Sequence, residues 1–238
     1  MTDEIEHIRA LIAEAGSVVV LTGAGVSAES GVPTFRGAEG LWRNFRAEEL
    51  ATPEAFGKDP KLVWEWYAWR RGLIAAVEPN PAHYALAEME KKTGRFTLIT
   101  QNVDGLHTLA GSSNVIEMHG SIWQVRCTGC AIENVEREAF ETLPPVCACG
   151  ALLRPGVVWF GESLDPGVVS ASFGAAAEAD VMLVVGTSSV VQPAASLGAE
   201  ARSAGAYVVE VNIERALGGS VANATLTGPA GELLPRLL

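Results

Sequence analysis

An apolar run that enters a glycine-rich turn constrains this chain more than any other feature. The run Val18-Val19-Val20-Leu21 predicts a strand that is buried on both faces. It leads into a G-x-G-x-x-A turn, which puts Gly23, Gly25 and Ala28 at the three small positions of a dinucleotide-binding motif. Glycine lets backbone N–H groups approach a pyrophosphate, and the following helix directs its positive end at the same charge.

The helix after this turn is predicted to be short. Gly31 and Pro33 interrupt it, whereas a hydride-transfer enzyme normally continues into a long helix. The interruption leaves a loop that carries Phe35 and Arg36 close to the phosphates. This arrangement favours chemistry on the dinucleotide itself over hydride transfer at its nicotinamide ring.

Four apolar runs predict the parallel strands of one doubly wound, Rossmann-like α/β sheet. They are Ser17–Leu21, Phe96–Thr100, Val181–Val185 and Tyr207–Val211. Each run ends in a polar cluster, and ligands of open α/β sheets bind beyond the carboxyl ends of the strands. The clusters are Gly23-Ala24-Gly25, Gln101-Asn102-Val103-Asp104, Gly186-Thr187-Ser188 and Asn212-Ile213-Glu214. We therefore expect one shared site at this edge.

Two regions interrupt the alternation of strands and helices. Residues 37–77 are rich in tryptophan and predict a helical insert, and residues 121–155 contain all four cysteines. The remaining segments, 1–36, 78–120 and 156–238, are expected to form the dinucleotide-binding domain.

The cysteines form a C-x2-C pair and a C-x-C pair separated by sixteen residues, and they predict a structural zinc module. The proposed ligands are Cys127, Cys130, Cys147 and Cys149. Two disulfides or free buried thiols are the alternative. Clustering in a chain without a secretion signal favours the metal and a cytoplasmic location.

Composition narrows the range of partners. The formal net charge of −11 argues against general nucleic-acid binding, and no apolar stretch is long enough to span a bilayer. An acidic surface suits lysine-bearing partners. The oligomeric state is left open, with a monomer among the options.

Of the four histidines, His119 is the catalytic candidate, because it ends an apolar run and precedes Gly120 at the entrance to the cysteine-rich region. A structural hydrogen bond would explain it equally well from the residues alone. Capping or packing accounts for His83, loop packing for His107, and surface exposure for His7.

The chain resembles the sirtuins, the NAD-dependent protein lysine deacylases, along nearly its whole length. The opening G-A-G-x-S-x-x-S-G-x-P-x-F-R matches their first motif, and Q-N-x-D, H-G, F-G-E, G-T-S and N-x-E follow in the family's order. The cysteine module departs from the usual pattern, because the family's second pair is commonly C-x2-C.

The resemblance implies roles for these positions. His119 is implied to be the general base, and Asn102 a second catalytic residue. The segment with Val158 and Phe160 is implied to pair with the substrate peptide. The implied NAD-binding residues are Gly23, Ala24, Gly25, Ser27, Ala28, Glu29, Pro33, Thr34, Phe35, Arg36, Trp42, Gln101, Asn102, Val103, Asp104, Gly186, Thr187, Ser188, Asn212, Ile213, Glu214 and Ala230.

The implied reaction couples NAD cleavage to deacylation. Nicotinamide leaves as the acyl oxygen of the modified lysine attacks the ribose. His119 then deprotonates a ribose hydroxyl, and the products are lysine, nicotinamide and O-acyl-ADP-ribose.

The predicted helix over residues 61–77 has Leu62, Trp66, Trp69 and Leu73 as its buried stripe. Tyr67 and Arg70 share an adjacent face, and from spacing alone they are a half-buried tyrosine beside a solvated arginine. Tyr67-Ala68-Trp69-Arg70 also resembles the Y-x-x-R signature of class III sirtuins, which remove acidic acyl groups. With Ala51 as the small residue of that subgroup, succinyl and malonyl groups are the expected substrates, with acetyl groups also removed.

Three rival functions are weighed against this one. An ordinary NAD dehydrogenase predicts a pair such as Tyr-x-x-x-Lys, and none of Tyr67, Tyr84 and Tyr207 has a lysine four residues later. A non-catalytic NAD-sensing or zinc-mediated interaction protein is disfavoured by His119 and Asn102. ADP-ribosyl transfer stays open as a side activity, because the same activated ribose can meet another nucleophile.

Overall fold

A six-stranded parallel sheet forms the centre of the molecule. The computed structural model describes residues 2–34, 42–43 and 45–238. The strands are β1 (Val18–Thr22), β2 (Phe96–Thr100), β3 (Val115–Glu117), β7 (Val181–Val185), β8 (Tyr207–Asn212) and β9 (Ala224–Thr227). Their spatial order is β3-β2-β1-β7-β8-β9, which is the Rossmann order and reverses between β1 and β7.

The four predicted strands are confirmed, with bounds that differ by one residue at β1 and β8. β1 and β7 lie side by side in the middle of the sheet, and all five residues of each are buried. The outer strands β3 and β9 were not predicted. They are short edge strands, and β3 is only half-buried, so neither forms a continuous apolar run.

Helices cover both faces of the sheet, as a doubly wound fold requires. On one face α1 (Thr2–Glu14), α6 (Pro81–Lys92) and α10 (Ala230–Leu233) contribute to one hydrophobic cluster. On the other face α8 (Pro166–Ala177) and α9 (Leu197–Ala204) contribute to a second. Two further short helices, α2 (Gly25–Ala28) and α7 (Leu106–Leu109), follow β1 and β2. In the described part of the chain, no helix is long and apolar enough to cross a membrane.

The short α2 confirms that the glycine turn opens only one turn of helix. It ends at Ala28, and Gly31 takes a positive φ of +90° two residues after the helix cap. The chain therefore leaves the sheet edge at this point instead of continuing along it.

The helical insert and the cysteine-rich region share one hydrophobic cluster. The insert contains α3 (Ala47–Leu50), α4 (Pro53–Lys58) and α5 (Pro60–Ala75). The cysteine-rich region forms an antiparallel sheet of β4 (Gly120–Cys127), β5 (Glu133–Val135) and β6 (Leu153–Val157) in the order β5-β4-β6. Because Trp64 of α5 donates its indole N–H to the Leu153 carbonyl at 2.7 Å, the two regions are joined by polar contact as well.

The predicted buried stripe of α5 is largely wrong. Trp66 is buried, but Leu62, Trp69 and Leu73 are only half-buried. The most buried side chains are those of Val63, Trp64, Trp66, Tyr67, Arg71 and Ile74. Since α5 packs against the small sheet as well as the other insert helices, its buried surface is wider than one amphipathic stripe.

The four cysteine side chains meet at the end of the small sheet. All four Sγ atoms lie within 4.8 Å of one another, with Cys127 and Cys149 3.4 Å apart and Cys130 and Cys147 3.8 Å apart. Tetrahedral zinc with Zn–S bonds of about 2.3 Å requires Sγ atoms about 3.8 Å apart. The arrangement fits a closed zinc site with four thiolate ligands, and the C-x-C pair reaches it as readily as the C-x2-C pair.

The turns that follow β1 and β7 touch backbone to backbone. The Gly25 N–H donates to the Gly186 carbonyl at 2.8 Å. A Cβ atom on Gly186 would lie 2.5 Å from the Val26 nitrogen, and one on Gly25 would lie 2.7 Å from the Gly186 oxygen. Gly186 also has a φ of +58°. No other residue fits at these positions without moving one of the central strands.

We expect Gly186→Ala to lower the free energy of unfolding by about 1–3 kcal/mol, because the added methyl group meets backbone that cannot yield. Gly205→Ala is the matched control, since Gly205 also has a positive φ but open space around its Cβ position. Urea unfolding of both variants measures the difference. If the two variants lost the same free energy of unfolding, the contact between Gly186 and the turn after β1 would not be tight.

We expect one zinc ion per chain, bound by the four cysteines. Cys147→Ser should lose the metal and unfold the small sheet, whereas Thr128→Ser in the same knuckle should keep both. Elemental analysis and circular dichroism provide the two readouts. Active, freshly purified protein without zinc would contradict this assignment.

Candidate functional site

The polar clusters that follow the central strands meet at one edge of the sheet. The Gln101 side-chain amide donates to the Thr187 hydroxyl at 2.9 Å, and the Asn212 amide donates to the Thr187 carbonyl at 2.8 Å. Together with the contact between Gly25 and Gly186, these bonds join the ends of β1, β2, β7 and β8. The structure thus brings together the residues that the sequence places at a shared site.

Asn102 and Asp104 converge on Ser27 in a buried network. The Asn102 amide donates to the Gly23 carbonyl and to the Ser27 hydroxyl, both at 3.1 Å, and Ser27 donates to Asp104 at 2.8 Å. Asp104 also accepts from the Leu106 N–H at 2.9 Å. Burial raises the pKa of Asp104, and these two hydrogen bonds oppose that rise. The network fixes the loop after β2 against the glycine turn.

Two histidines lie behind this network, and the sequence did not predict their part in it. His83 accepts the Asn80 N–H at 3.2 Å, which confirms the capping prediction, and its other nitrogen lies 3.4 Å from the Ser27 hydroxyl. His107 lies 3.0 Å from the Thr22 hydroxyl. Burial lowers the pKa of His83 to about 4 and that of His107 to about 3, so both are neutral near pH 7. For His83 the sequence offered one signal, the Asn-Pro-x-His motif of residues 80–83 at the start of α6.

His119 has the tautomer that a general base needs. Its Nδ1 lies 3.0 Å from the Gln101 carbonyl, which can only accept, so Nδ1 carries the hydrogen and Nε2 carries the free electron pair. Burial lowers its pKa, which keeps the ring neutral at pH 7. The backbone of His119 is tied to the segment after β6, because the Val158 N–H donates to the His119 carbonyl at 2.9 Å.

The residues predicted to contact substrate lie at the end of α3, on α5 and on the segment after β6 that is bonded to His119. We call this group the substrate wall, and it consists of Ala51, Tyr67, Arg70, Val158 and Phe160. The Phe160 N–H donates to the Ala51 carbonyl at 2.9 Å, which joins the segment after β6 to the helical insert. The Tyr67 hydroxyl accepts a hydrogen bond from the indole of Trp159 at 2.9 Å. Tyr67 is 2% exposed, so it is fully buried rather than half-buried as spacing alone suggested. Trp159 was not among the predicted site residues, although it lies between two of them in the sequence.

Arg70 lies on the side of this group that faces the loop after β2. Its guanidinium lies 5.3 Å from the centre of the Trp66 ring, and the carboxylate of Asp104 in that loop attracts it electrostatically. Burial lowers the pKa of Arg70, so its charge is less well solvated than in water. It is half-buried rather than fully solvated. A guanidinium that is partly removed from water is stabilised when an anionic ligand binds to it.

Other predicted NAD-binding residues lie around the same edge, and their roles stay predictions. Glu29 accepts the Gly231 N–H at 2.9 Å, next to Ala230, which begins α10. Trp42 packs against Trp69 within the insert cluster. Ala28 ends α2, and the remaining predicted positions lie on the loops and turns of this edge, namely Ala24, Pro33, Thr34, Val103, Ser188, Ile213 and Glu214. Phe35 and Arg36 lie outside the described residues.

Comparison with known proteins gives consistent relatives. Residues 23–193 match the sequence profile of the Sir2 family. A protein of Pyrococcus furiosus named NAD-dependent protein deacylase is 51% identical over 239 residues, which cover 98% of this chain and 96% of that protein.

Solved structures agree with the sequence match. A Sir2 homologue mutant in complex with 2'-O-acetyl ADP ribose has a TM-score of 0.92 at 51% identity, over 98% of this chain and 94% of that one. A Sir2–p53 peptide–NAD+ complex has a TM-score of 0.89 at 30% identity, over 98% of this chain and 96% of that one. On the sequence match, the fold and the convergence of the motif residues, this chain belongs to the Sir2 family, the sirtuins.

Proposed function

We propose that this chain is an NAD-dependent protein lysine deacylase that removes succinyl and malonyl groups in preference to acetyl. The observation that carries the reaction is His119, with a free Nε2 at the carboxyl edge where the four strand ends meet. Relatives are named NAD-dependent protein deacylase, and one solved relative contains both a peptide and NAD+. The acyl preference has a different support, the buried Tyr67 and the half-buried Arg70.

We assign NAD to the edge where the turns after β1 and β7 meet, because the glycine turn opens α2 there and the strand order reverses at the same point. We assign the phosphates to the glycine turn, the adenosine half to the loops after β7 and β8, and the nicotinamide ribose to Asn102 and Asp104. When bound, NAD supplies an electrophilic ribose carbon. Asn102 is already oriented for this task by its bonds to Gly23 and Ser27.

His119 would take a proton from a ribose hydroxyl at Nε2. The Gln101 carbonyl stabilises the resulting imidazolium through the Nδ1–H, as the orienting acceptor does in other histidine bases. Because the same Gln101 donates its side-chain amide to Thr187, the base is oriented by the loop that joins two strand ends.

Acidic acyl groups are favoured because the substrate wall presents a cation and a phenol beside a small residue. Arg70 offers planar donors that match a carboxylate, and the Tyr67 hydroxyl adds one hydrogen bond. Ala51 is buried at 6% exposure and is bonded through its carbonyl to the Phe160 N–H, so this part of the proposed site is lined by a small side chain. An acetyl group has no terminal charge to pair with Arg70, so an acetyl-lysine substrate would gain less binding free energy at this site than a succinyl- or malonyl-lysine substrate.

The remaining assignments follow from the same features. We infer that residues 37–77 and 121–155 act as one unit against the dinucleotide-binding domain, because they share a hydrophobic cluster. Four unpaired thiols gathered for zinc suit a reducing compartment, and we place the enzyme in the cytoplasm. Its partners are acyl-lysine proteins or peptides.

His119→Ala should lower the rate of deacylation at least about 10²-fold while the protein stays folded and binds zinc. His7→Ala is the control, because His7 is exposed on α1. The wild-type kcat/KM should rise with pH, with its midpoint below the ordinary histidine pKa of about 6.5, since the base works when neutral and burial lowers the pKa of His119. Near-normal turnover of His119→Ala would refute the assignment.

Arg70→Met should reduce the ratio of desuccinylation to deacetylation at least about 30-fold, because the acyl carboxylate loses a partner worth about 2 kcal/mol or more. Arg95→Met is the control for lost charge, since Arg95 forms an exposed ion pair with Glu178. Steady-state kcat/KM on succinyl- and acetyl-lysine peptides of one sequence measures the ratio. An equal loss on both peptides would make Arg70 structural.

A further inference from the structure

The indole of Trp159 makes a polar contact with Tyr67, a residue of the proposed acyl site. Trp159 is 3% exposed, and its Nε1–H donates to the Tyr67 oxygen at 2.9 Å. An indole nitrogen can only donate, so the direction of this bond is fixed. The Tyr67 oxygen therefore acts as an acceptor on this side.

A phenol that accepts from Trp159 has its own hydrogen left to donate elsewhere. Burial raises the pKa of Tyr67 to about 12, so this hydrogen stays in place at working pH. The charges that act on the Tyr67 hydroxyl include the cation of Arg70 on the substrate wall. Tyr67 and Arg70 lie three residues apart on α5, at neighbouring positions of one helix face, so a carboxylate bound by Arg70 in the proposed site would be the acceptor for this hydrogen.

Trp159 is itself held firmly in position. The Arg154 guanidinium lies 3.5 Å from the centre of its ring, and Arg154 forms two bonds to Glu162 at 2.6 and 2.8 Å. Glu162 also accepts the Trp159 backbone N–H at 2.9 Å. The Phe56 ring packs on the indole at 5.2 Å between centroids. These contacts leave the indole little freedom to turn away from Tyr67.

We propose that Trp159 is a positioning residue for acyl specificity, which orients the Tyr67 hydroxyl as a donor toward the terminal carboxylate of the acyl group. The inference rests on the proposed preference for acidic acyl groups. It adds a residue outside the Y-x-x-R signature, on a different segment of the chain. Without the indole N–H, the Tyr67 hydroxyl is free to rotate and loses its set direction.

The test is a double-mutant cycle with Trp159→Phe and Tyr67→Phe, assayed on succinyl- and acetyl-lysine peptides of one sequence. Trp159→Phe should lower the succinyl-to-acetyl ratio of kcat/KM about 3–10-fold, the size of one hydrogen bond, mainly through KM for the succinyl peptide. The same substitution should change the ratio less than about twofold in a Tyr67→Phe background, because the hydroxyl that it orients is gone.

Two further variants keep the result interpretable. Phe140→Leu loosens the same hydrophobic cluster at Trp64 and keeps the printed contacts of the Trp159 indole, so the ratio should stay unchanged. If Trp159→Phe does not fold, site-specific 3-benzothienylalanine at position 159 removes the N–H and keeps the bicyclic shape.

The outcomes separate this inference from the proposed function. A wild-type enzyme that prefers acetyl peptides overturns the acyl preference, and this inference with it. A wild-type enzyme that prefers succinyl peptides, combined with an unchanged ratio in Trp159→Phe, overturns this inference alone. The inference is also overturned if Trp159→Phe lowers the succinyl-to-acetyl ratio by the same factor in the Tyr67→Phe background as in the wild type.

Discussion

The contact between two backbone turns, after β1 and after β7, is the constraint on which the rest of the structure depends. Gly25 and Gly186 approach so closely that neither tolerates a Cβ atom. The reversal of strand order at this point opens the crevice in which α/β sheets bind ligands. Every polar group of the candidate site is placed relative to this contact, because Thr187 follows Gly186 and receives bonds from Gln101 and Asn212.

The second requirement is a wall that stays fixed against this edge. The helical insert and the small sheet supply it by sharing one hydrophobic cluster, which includes Tyr67 and Trp159. The backbone of the segment after β6 is tied at Val158 to His119 and at Phe160 to Ala51. The proposed base and the proposed acyl-binding residues are thereby connected through one short segment, which would keep the reacting groups in a common geometry.

Much of this architecture was predictable because local sequence patterns determine it. Buried parallel strands need continuous apolar runs, and β1 and β7 have them. The cysteine spacing predicted a cluster because thiolate coordination tolerates few separations. Contacts between side chains that are far apart in the sequence have no local pattern from which they could be predicted. The bond from Trp159 to Tyr67 spans 92 positions, and the bond from Ser27 to Asp104 spans 77. The buried face of α5 was mispredicted for the same reason, since its second packing partner comes from a later part of the chain.

The most direct test of the account is product analysis of a single reaction with NAD and a succinyl-lysine peptide. Mass spectrometry should find nicotinamide, free-lysine peptide and O-succinyl-ADP-ribose in equal amounts, because base, ribose and acyl group meet at one edge. Nicotinamide and ADP-ribose without deacylated peptide would contradict the account, since the site would then cleave NAD without engaging the acyl-lysine.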